Sequence, residues 1–438
     1  MFKRTTRFSA LSLLAVGALL LSACGAEPTA TPVAPTATTA AAVQETKTPL
    51  LTIQATNTAL LSIRATATAP VMTESPTPMT GGGGGGEAKI GFAFATSGGA
   101  AVYGASQRAA AEMAIAEINA MGDGPKLVGI FEDTAGTPDQ AFTVFQKFIN
   151  ADKVHAIIGP TLSNEALTSD PEAQKNGVPV LAVSNTASGI TDIGDYIFRD
   201  SLSEGQVIPE TIMQATSKLG ITKVSLMYAN DDAFSKSGAD VFRAYLQRMG
   251  TEILSEQTFS TNDVDFKAQL NAVKAENPDA IVVSALINPA KLITQQARND
   301  VGIGPEVHII GGNGFNSPAL IADTGGAAEG VVVGAAWNSG STDELSVKFI
   351  ENFNKANGKN PDQFAAQSYA GVYILYDAIK RADVEDKPLA EARTAIRDAL
   401  KSTRDFPTVL GSFSFTGRDA DHPPVVQIVR NGKFEILK

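Results

Sequence analysis

The amino-acid sequence predicts an α/β fold in which two lobes each carry a doubly wound parallel sheet. Short apolar runs, typical of strands buried on both faces, alternate with longer helical patterns over most of the chain. About twelve strands are expected over the whole body, eight of which are located below, and twelve is more than one open sheet comfortably holds. The length of 438 residues leaves room for two or three domains of about 150 residues each.

The alternation starts at Lys89–Ala95 (KIGFAFA), a short apolar run that predicts a buried strand. The alanine-rich segment 106–121 has apolar residues at helical spacing, and Gly122 ends it. The same reasoning predicts strands at 126–132, 154–158 and 180–183, and helices at 139–150 and 164–176. These elements form the first predicted sheet and its covering helices.

The alternation resumes after Arg199 and supplies the second predicted lobe. Helices are predicted at 205–219, 236–249, 265–275 and 289–300, and strands at 223–228, 252–259, 280–285 and 307–310.

Composition and charge exclude several classes of function. The chain has 46 Asp and Glu against 35 Lys and Arg, a net charge of −11, whereas nucleic-acid-binding proteins carry a basic excess. Its three histidines, His155, His308 and His422, form no metal-binding pair, so we predict no metal site and no cofactor; calcium bound by carboxylates is the alternative. Nucleophile-elbow and S-x-x-K motifs are also missing, and the sequence does not indicate an enzyme.

Residues 1–23 have the features of an export signal. A basic start precedes the apolar run Leu11–Leu21, which is too short to span a bilayer comfortably. The run ends in Leu21-Ser22-Ala23-Cys24-Gly25, which resembles the bacterial lipobox, and Cys24 is the only cysteine in the chain. An ordinary signal peptide with a chance cysteine is the alternative. We predict acylation of Cys24 and a lipid-anchored protein on the outer face of the cytoplasmic membrane.

Residues 24–87 are predicted to be the acylated cysteine and a disordered tether. Thr, Ala and Pro dominate this segment, and six glycines run from Gly81 to Gly86. Such a composition cannot bury enough apolar surface to offset the entropy of ordering the chain. Two similar units, Leu50–Ala59 and Leu60–Ala69, are too few for a solenoid, and the hexaglycine lacks the Gly-Lys-Ser/Thr of a phosphate loop.

Three polar loops follow strands of the first predicted sheet: Thr96–Gly104, Gly159–Ser163 and Ser184–Ser188. Ligands of open α/β sheets bind at this carboxyl edge. The second loop runs into a helix at Ser163, where free backbone N–H groups and the helix dipole attract an anion. Serine and threonine after a strand are also ordinary helix caps and turn formers, so a structural role explains each loop alone better than a binding role does. Three such loops at one edge of the predicted sheet make the two interpretations about equal.

The ordered set of these loops resembles type I periplasmic binding proteins of the leucine/isoleucine/valine-binding class, the solute receptors of ABC importers. The segments that carry the resemblance are Ser97–Gly104 (SGGAAVYG), Gly159–Ser163 (GPTLS), Gly177–Thr186 (GVPVLAVSNT), Asp265-Phe266, Asn277–Ala280 (NPDA) and Glu329–Val332 (EGVV). A lipobox fits as well, because receptors in cells without an outer membrane must be tethered.

The resemblance implies two lobes joined by a three-strand hinge, with the ligand in the cleft between them and closure by a hinge motion. It places lobe 1 at 88–203 and 338–413, and lobe 2 at 204–337 and 414–438. It also implies roles for particular residues. Ser163 matches a hydroxyl that binds the ligand carboxylate, and Ser184 and Thr186 match a second loop that binds carboxylate and ammonium.

The walls of the implied site are aromatic. Tyr103 matches a residue that covers the ligand, Phe234 lies where the family often has a tyrosine, and Phe364 lies at an apolar wall position. For Phe364, a role in the core is an equally good interpretation.

The chain departs from the family pattern at Asn313, within Gly311-Gly-Asn313-Gly314, where an amino-acid receptor commonly has an acid for the ligand ammonium. An asparagine cannot neutralise a buried charge. Either Asp231 or Asp232 substitutes, or the ligand is not a simple α-amino acid; both aspartates also fit a solvated turn. Leu286 stands where a tyrosine is often found, which makes the wall less polar there.

The sequence thus predicts a lipid-anchored extracytoplasmic receptor of an ABC importer. We expect a monomer that binds a small amino acid or a related carboxylate or amide and delivers it to a permease. A sensory module that reports occupancy to a membrane partner is the alternative, and the sequence does not separate the two.

Overall fold

The computed structural model describes residues 86–438. The predicted signal segment 1–23, Cys24 and nearly all of the predicted tether lie outside the described residues. Within residues 86–438, no helix combines the length and the apolar character needed to cross a membrane.

The first lobe is built on a five-stranded sheet in which every strand is parallel to its neighbours. Its strands are β1 (Glu87–Phe94), β2 (Lys126–Asp133), β3 (Ala156–Ile158), β4 (Val180–Ala182) and β5 (Ile197–Arg199), in the order β2-β1-β3-β4-β5. The intervening helices are α1 (Ala101–Met121), α2 (Pro138–Lys147) and α3 (Ser163–Lys175).

The second lobe is built on a seven-stranded sheet. The helices that alternate with its strands are α4 (Glu204–Leu219), α5 (Ala233–Met249), α6 (Lys267–Glu276), α7 (Ile287–Gln295) and α8 (Pro318–Thr324). The parallel strands are β6 (Lys223–Ala229), β7 (Glu252–Phe259), β8 (Ala280–Ser284), β9 (His308–Gly311) and β10 (Val332–Ala335).

The carboxyl-terminal part of the chain adds elements that the sequence patterns did not predict. These are helices α9 (Glu344–Asn357), α10 (Gln363–Ala382) and α11 (Leu389–Lys401) and strands β11 (Phe406–Thr408), β12 (Gly411–Thr416), β13 (Asp419–Asp421), β14 (Val425–Arg430) and β15 (Lys433–Ile436). Strands β11–β13 form a small antiparallel sheet, whereas β14 and β15 join the second sheet, whose order is β15-β14-β10-β9-β8-β6-β7.

The hairpin of β14 and β15 adds an antiparallel pair to the edge of the second sheet. Asn431 and Gly432 both have positive φ, 51° and 69°. A two-residue Asn-Gly turn of this kind reverses the chain tightly and makes the two strands antiparallel. Strand β14 also runs antiparallel to β10, so this edge of the sheet differs from the parallel sheet that the sequence predicts.

Alternate residues of the buried strands pack on opposite faces of each sheet, which confirms the doubly wound architecture. In β1, Phe92 joins a core formed with α1 and α10, whereas Ala93 faces the core formed with α2 and α3. In β8, Val282 packs toward α4 and α5, and Val283 packs toward α6 and α7. The stacked rings of Phe92 and Phe131, with centroids 4.4 Å apart, belong to the first of these cores.

The chain passes between the two large sheets three times: after β5, after β10, and between β13 and β14. Side chains tie the first and third crossings together, since the guanidinium of Arg199 lies 2.5 Å from the carboxylate of Asp419. These passages fit the three-strand hinge that the resemblance implies. The exact lobe limits given above stay a prediction.

Candidate functional site

A small cavity lies between the two lobes, at the carboxyl ends of the strands. Its lining comes from Tyr103, Thr161, Leu162, Ser163, Ser184, Asn185, Thr186, Phe234, Leu286, Asn313, Gly314 and Phe364. The structure therefore brings together all seven residues that the resemblance marked as ligand-binding. They lie together because parallel strands of each sheet end at one edge, and the two edges face each other.

Ser163 begins α3, and its hydroxyl is oriented by the neighbouring loop. Its Oγ accepts hydrogen bonds from the backbone N–H groups of Thr186 (3.3 Å) and Ala187 (3.2 Å). A hydroxyl that accepts twice still has its proton to donate. This proton, together with the amino end of a 13-residue helix, makes a favourable place for an anionic group.

Thr186 contacts a buried acid that the sequence reasoning missed. The Thr186 hydroxyl donates to Oε1 of Glu204 at 2.6 Å. Glu204 is 1% exposed, and this burial raises its pKa to about 7, with the Thr186 hydrogen bond and the charge of Arg199 acting in the opposite direction. In sequence, Glu204 looks like an ordinary acid in the first turn of a helix, so nothing there marks it as part of the site.

Ser184 is held inside the first lobe. Its hydroxyl donates to the carbonyl oxygen of Thr161 at 2.6 Å and accepts from Nε2 of Gln107 at 2.8 Å. Gln107 in turn accepts from the Thr161 hydroxyl at 2.7 Å. Since Ser184 has already donated its proton, this geometry favours a role in positioning the loops over direct donation to a ligand. Gln107, a buried residue of α1, is a second residue that the sequence reasoning missed.

Aromatic side chains close the cavity. The rings of Tyr103 and Phe364 lie 4.5 Å apart, and the Tyr103 hydroxyl donates to the carbonyl oxygen of Gly314 at 2.6 Å. Burial raises the pKa of the Tyr103 phenol, which stays protonated as a donor. The glycine at 104 lets α1 lie against the residue that follows β1, because a Cβ there would lie 2.1 Å from the carbonyl oxygen of Ala95.

Two globular lobes around a polar and aromatic cleft are the architecture of solute receptors. A family model described as "Periplasmic binding protein" matches residues 87–430 of this chain. The chain belongs to the periplasmic binding protein family.

Individual relatives place it in the type I, branched-chain amino acid class. The Leu/Ile/Val-binding protein BraC3 of Rhizobium johnstonii is 26% identical over 330 residues, which cover 74% of this chain and 86% of that protein. The substrate-binding protein LivJ of Streptococcus pneumoniae, solved in complex with isoleucine, is 30% identical and has a TM-score of 0.73. The match covers 80% of this chain and 98% of the LivJ chain. LivK, a leucine-binding protein of Thermotoga maritima, is 26% identical with a TM-score of 0.74, over 80% and 97% of the two chains.

The two lobes of this periplasmic binding protein are hydrogen-bonded across the cleft. Nδ2 of Asn164 donates to Asp232 at 2.9 Å, and Oδ1 of Asn164 accepts from the N–H of Ala233 at 2.9 Å. The backbone N–H of Ser188 donates to the Ser237 hydroxyl at 2.8 Å. With the bond from Tyr103 to Gly314, these contacts hold the cleft closed.

Neither aspartate proposed as a substitute for the missing acid lines the cavity of the binding protein. Asp232 caps α5, where its Oδ2 accepts from the backbone N–H and the hydroxyl of Ser235. Asp231 points to the other side and accepts from Ser260 and Thr261. That alternative is therefore wrong, and both residues have the turn and capping roles that Asp commonly takes.

At Asn313, the side-chain oxygen is directed to the protein. Oδ1 accepts from Nε2 of Gln363 at 2.6 Å and from Nδ2 of Asn316 at 3.3 Å. Within residues 86–438, no acidic or basic side chain lines the cavity, whose polar groups are hydroxyls, amides and backbone atoms.

Proposed function

We propose that this periplasmic binding protein is the extracytoplasmic, lipid-anchored receptor of an ABC importer. It binds a small amino acid or a related carboxylate or amide in the cavity between the lobes and delivers it to the permease as a monomer. The observation that carries the proposal is the Ser163 hydroxyl, which keeps its proton at the amino end of α3 inside a closed, two-lobed cleft.

The cavity suits a ligand with one anionic end and an apolar body. Ser163 and the first N–H groups of α3 supply donors to a carboxylate, and such charge-assisted hydrogen bonds are stronger than neutral ones. Phe234, Leu286 and Phe364 supply apolar walls. The closed cleft leaves little free space between these walls, which fits a compact solute. The isoleucine bound by LivJ is such a solute.

A closing mechanism follows from the contacts between lobes. A ligand that touches Ser163 on one lobe and Asn313 on the other stabilises the closed arrangement relative to the open one. Closure then brings α3 and α5 together at the mouth of the cleft, where Asn164 meets Asp232. A permease that recognises both lobes at once would distinguish the loaded receptor from the empty one.

A thermal-shift screen of residues 88–438, refolded from denaturant to remove bound solute, tests the binding function. The panel contains amino acids, amides, urea and aromatic carboxylates. A ligand at 1,000 times its Kd stabilises the fold by about 4 kcal/mol, enough to raise Tm by several degrees. Binding by none of these classes contradicts the proposal. Uptake of the ligand by cells that carry the receptor, and its loss on deletion, would distinguish delivery from sensing.

A further inference from the structure

A chain of buried amides fixes which end of Asn313 faces the cavity. The backbone N–H of Ala336 donates to Oε1 of Gln363 at 3.1 Å. A backbone N–H can only donate, so Gln363 must present its oxygen to Ala336 and its amino group to Asn313. That amino group lies 2.6 Å from Asn313, which must therefore turn its oxygen toward Gln363. Gln363 is 3% exposed, so water does not compete for these bonds.

A second route through the amides gives the same orientation. The carbonyl oxygen of Gly334 can only accept, and Nδ2 of Asn316 donates to it at 2.7 Å. The same Nδ2 lies 3.3 Å from Oδ1 of Asn313, while the oxygen of Asn316 accepts from Gln427 at 2.6 Å. Two independent backbone groups therefore set one arrangement, and the amino group of Asn313 has no hydrogen-bond partner among residues 86–438.

The second lobe thus offers the ligand a donor where an ammonium would need an acceptor. An ammonium group opposite the Asn313 amino group would face another donor in a closed cleft, with its charge unpaired. The side-chain acceptors that the first lobe offers are neutral: the lone pairs of Thr186, whose proton is donated to Glu204, and Oδ1 of Asn185, which has no hydrogen-bond partner among residues 86–438. A neutral oxygen does not balance the charge of an ammonium. Glu204 lies behind Thr186 and does not line the cavity, and Arg199 offsets its charge.

We propose that the ligand is a small carboxylate whose second polar group is an uncharged oxygen, the carbonyl or hydroxyl of a 2-oxo or 2-hydroxy acid, bound by the Asn313 amino group. The inference rests on the proposed function and narrows it. The carboxylate takes the donors at Ser163, the uncharged oxygen accepts from Asn313, and the apolar chain packs on Phe234, Leu286 and Phe364. Asn313 is then the residue that sets the specificity of the site.

Paired ligands test this directly. Each amino acid is compared by calorimetry with the 2-oxo acid of the same carbon skeleton: leucine with 4-methyl-2-oxopentanoate, alanine with pyruvate, phenylalanine with phenylpyruvate, and glutamate with 2-oxoglutarate. The full chain is used, purified in detergent and refolded to remove bound solute. The tightest binder should be a 2-oxo acid, and its amino counterpart should bind about tenfold more weakly or worse.

The variant Asn313→Asp changes only the group in question. Aspartate keeps the oxygen that accepts from Gln363 and Asn316 and replaces the amino group by a second oxygen. It should weaken the 2-oxo acid by about tenfold and strengthen the matching amino acid. Asn271→Asp, which adds the same charge on an exposed face of α6, is the control and should leave both affinities unchanged.

The variant Gln363→Glu tests the orientation without altering a cavity residue. An ionised glutamate still accepts from Ala336 but cannot donate to Asn313. Its second oxygen attracts the amino group of Asn313, and only the longer 3.3 Å contact with Nδ2 of Asn316 then favours the original orientation. The preference for the 2-oxo acid should shrink.

The outcomes separate this inference from the proposed function. A wild-type chain that binds an amino acid as tightly as its 2-oxo partner, or more tightly, overturns the inference and leaves the receptor function intact. Binding by none of the eight compounds also overturns the inference. The proposed receptor function is contradicted as well only if none of the amides and aromatic carboxylates of the thermal-shift panel binds.

Discussion

Asn164 and Asp232 meet across the mouth of the cleft, 2.9 Å from amide nitrogen to carboxylate oxygen, although they belong to different lobes. Asp232 is 1% exposed and also caps α5. The same asparagine accepts from the N–H of Ala233, so its side chain bonds to the second lobe through both ends. These bonds exist only when the lobes are together, and neither residue lines the ligand cavity.

Replacing Asn164 by alanine should therefore weaken binding without altering a ligand contact. The closed state loses two hydrogen bonds of about 1 kcal/mol each, which corresponds to a rise in Kd of about 10- to 30-fold. Calorimetry with the tightest ligand of the thermal-shift panel measures this change. Asn271→Ala, which removes an exposed amide that bonds only within α6, is the matched control. Equal affinities for Asn164→Ala and the control would show that the contact does not support closure.

The hydroxyls of Ser163 and Thr186 should each matter for affinity. Ser163→Ala removes the proton offered to the carboxylate, and Thr186→Ala removes a lining hydroxyl and its bond to Glu204. We expect each variant to lose about 1 to 3 kcal/mol of binding free energy, as for a hydrogen bond to a charged group. Titration calorimetry at constant pH provides the measurement. Unchanged affinity in both variants would refute the assignment of the site.

Ser184→Ala should behave differently from Ser163→Ala. When the Ser184 hydroxyl is removed, the carbonyl oxygen of Thr161 and the amide of Gln107 each lose a hydrogen-bond partner in a buried network. Such unpaired groups cost about 1 to 3 kcal/mol of folding free energy. We expect a lower Tm in the absence of ligand, with a smaller effect on affinity than Ser163→Ala produces. An affinity loss equal to that of Ser163→Ala, at unchanged Tm, would instead indicate direct contact with the ligand.

Stability should fall as the pH rises from about 5 to 8. Burial raises the pKa of Glu204 and of Glu165 to about 7, from an ordinary value near 4.5. The folded chain therefore holds these protons in a pH range where the unfolded chain has released them. Their stabilising contribution is complete below pH 4.5 and is lost as the pH passes 7. A shift of this size corresponds to about 3 kcal/mol for each group.

Glu204→Gln removes one of these titrating groups and so measures how much Glu204 contributes to the pH dependence of stability. The variant should lose less Tm than the wild type between pH 5 and pH 8, because its amide stays neutral throughout. Differential scanning calorimetry at several pH values provides the comparison. Burial also raises the carboxyl pKa values of Asp170 and Asp200. Both proteins contain these residues, so the Tm of the variant should still fall with pH, but less steeply than that of the wild type. Parallel Tm curves for the two proteins would contradict a buried, titrating Glu204.

The proposed lipid anchor rests on Cys24 and has its own test. Cys24→Ser removes the thiol that would be acylated, so the protein should move from the membrane fraction to the soluble fraction. Metabolic labelling with a fatty acid should also disappear. Membrane association that persists in the variant would show that another feature holds the protein there.

Much of the fold is local in origin and could be predicted. The apolar runs indicated eight of the nine strands from β1 to β9, because period and composition report burial on both faces of a sheet. The three-residue strand β5 was missed. The β14–β15 hairpin and the small third sheet were missed, because strands of three to six residues are too short to show a clear hydrophobic period. The loops at Tyr103, Ser163 and Thr186 were identified because strand ends and hydroxyls are visible in sequence.

The sequence by itself determined the architecture, the family and the loops that surround the cleft. Only the tertiary structure decided what each polar group does there. Ser184 donates inward because Gln107 and Thr161 lie beside it, and Asn313 turns its amino group to the cavity because Gln363, 50 residues away, holds its oxygen. A hydrogen bond has a direction that depends on both partners, and partners distant in sequence become neighbours only when the chain has folded.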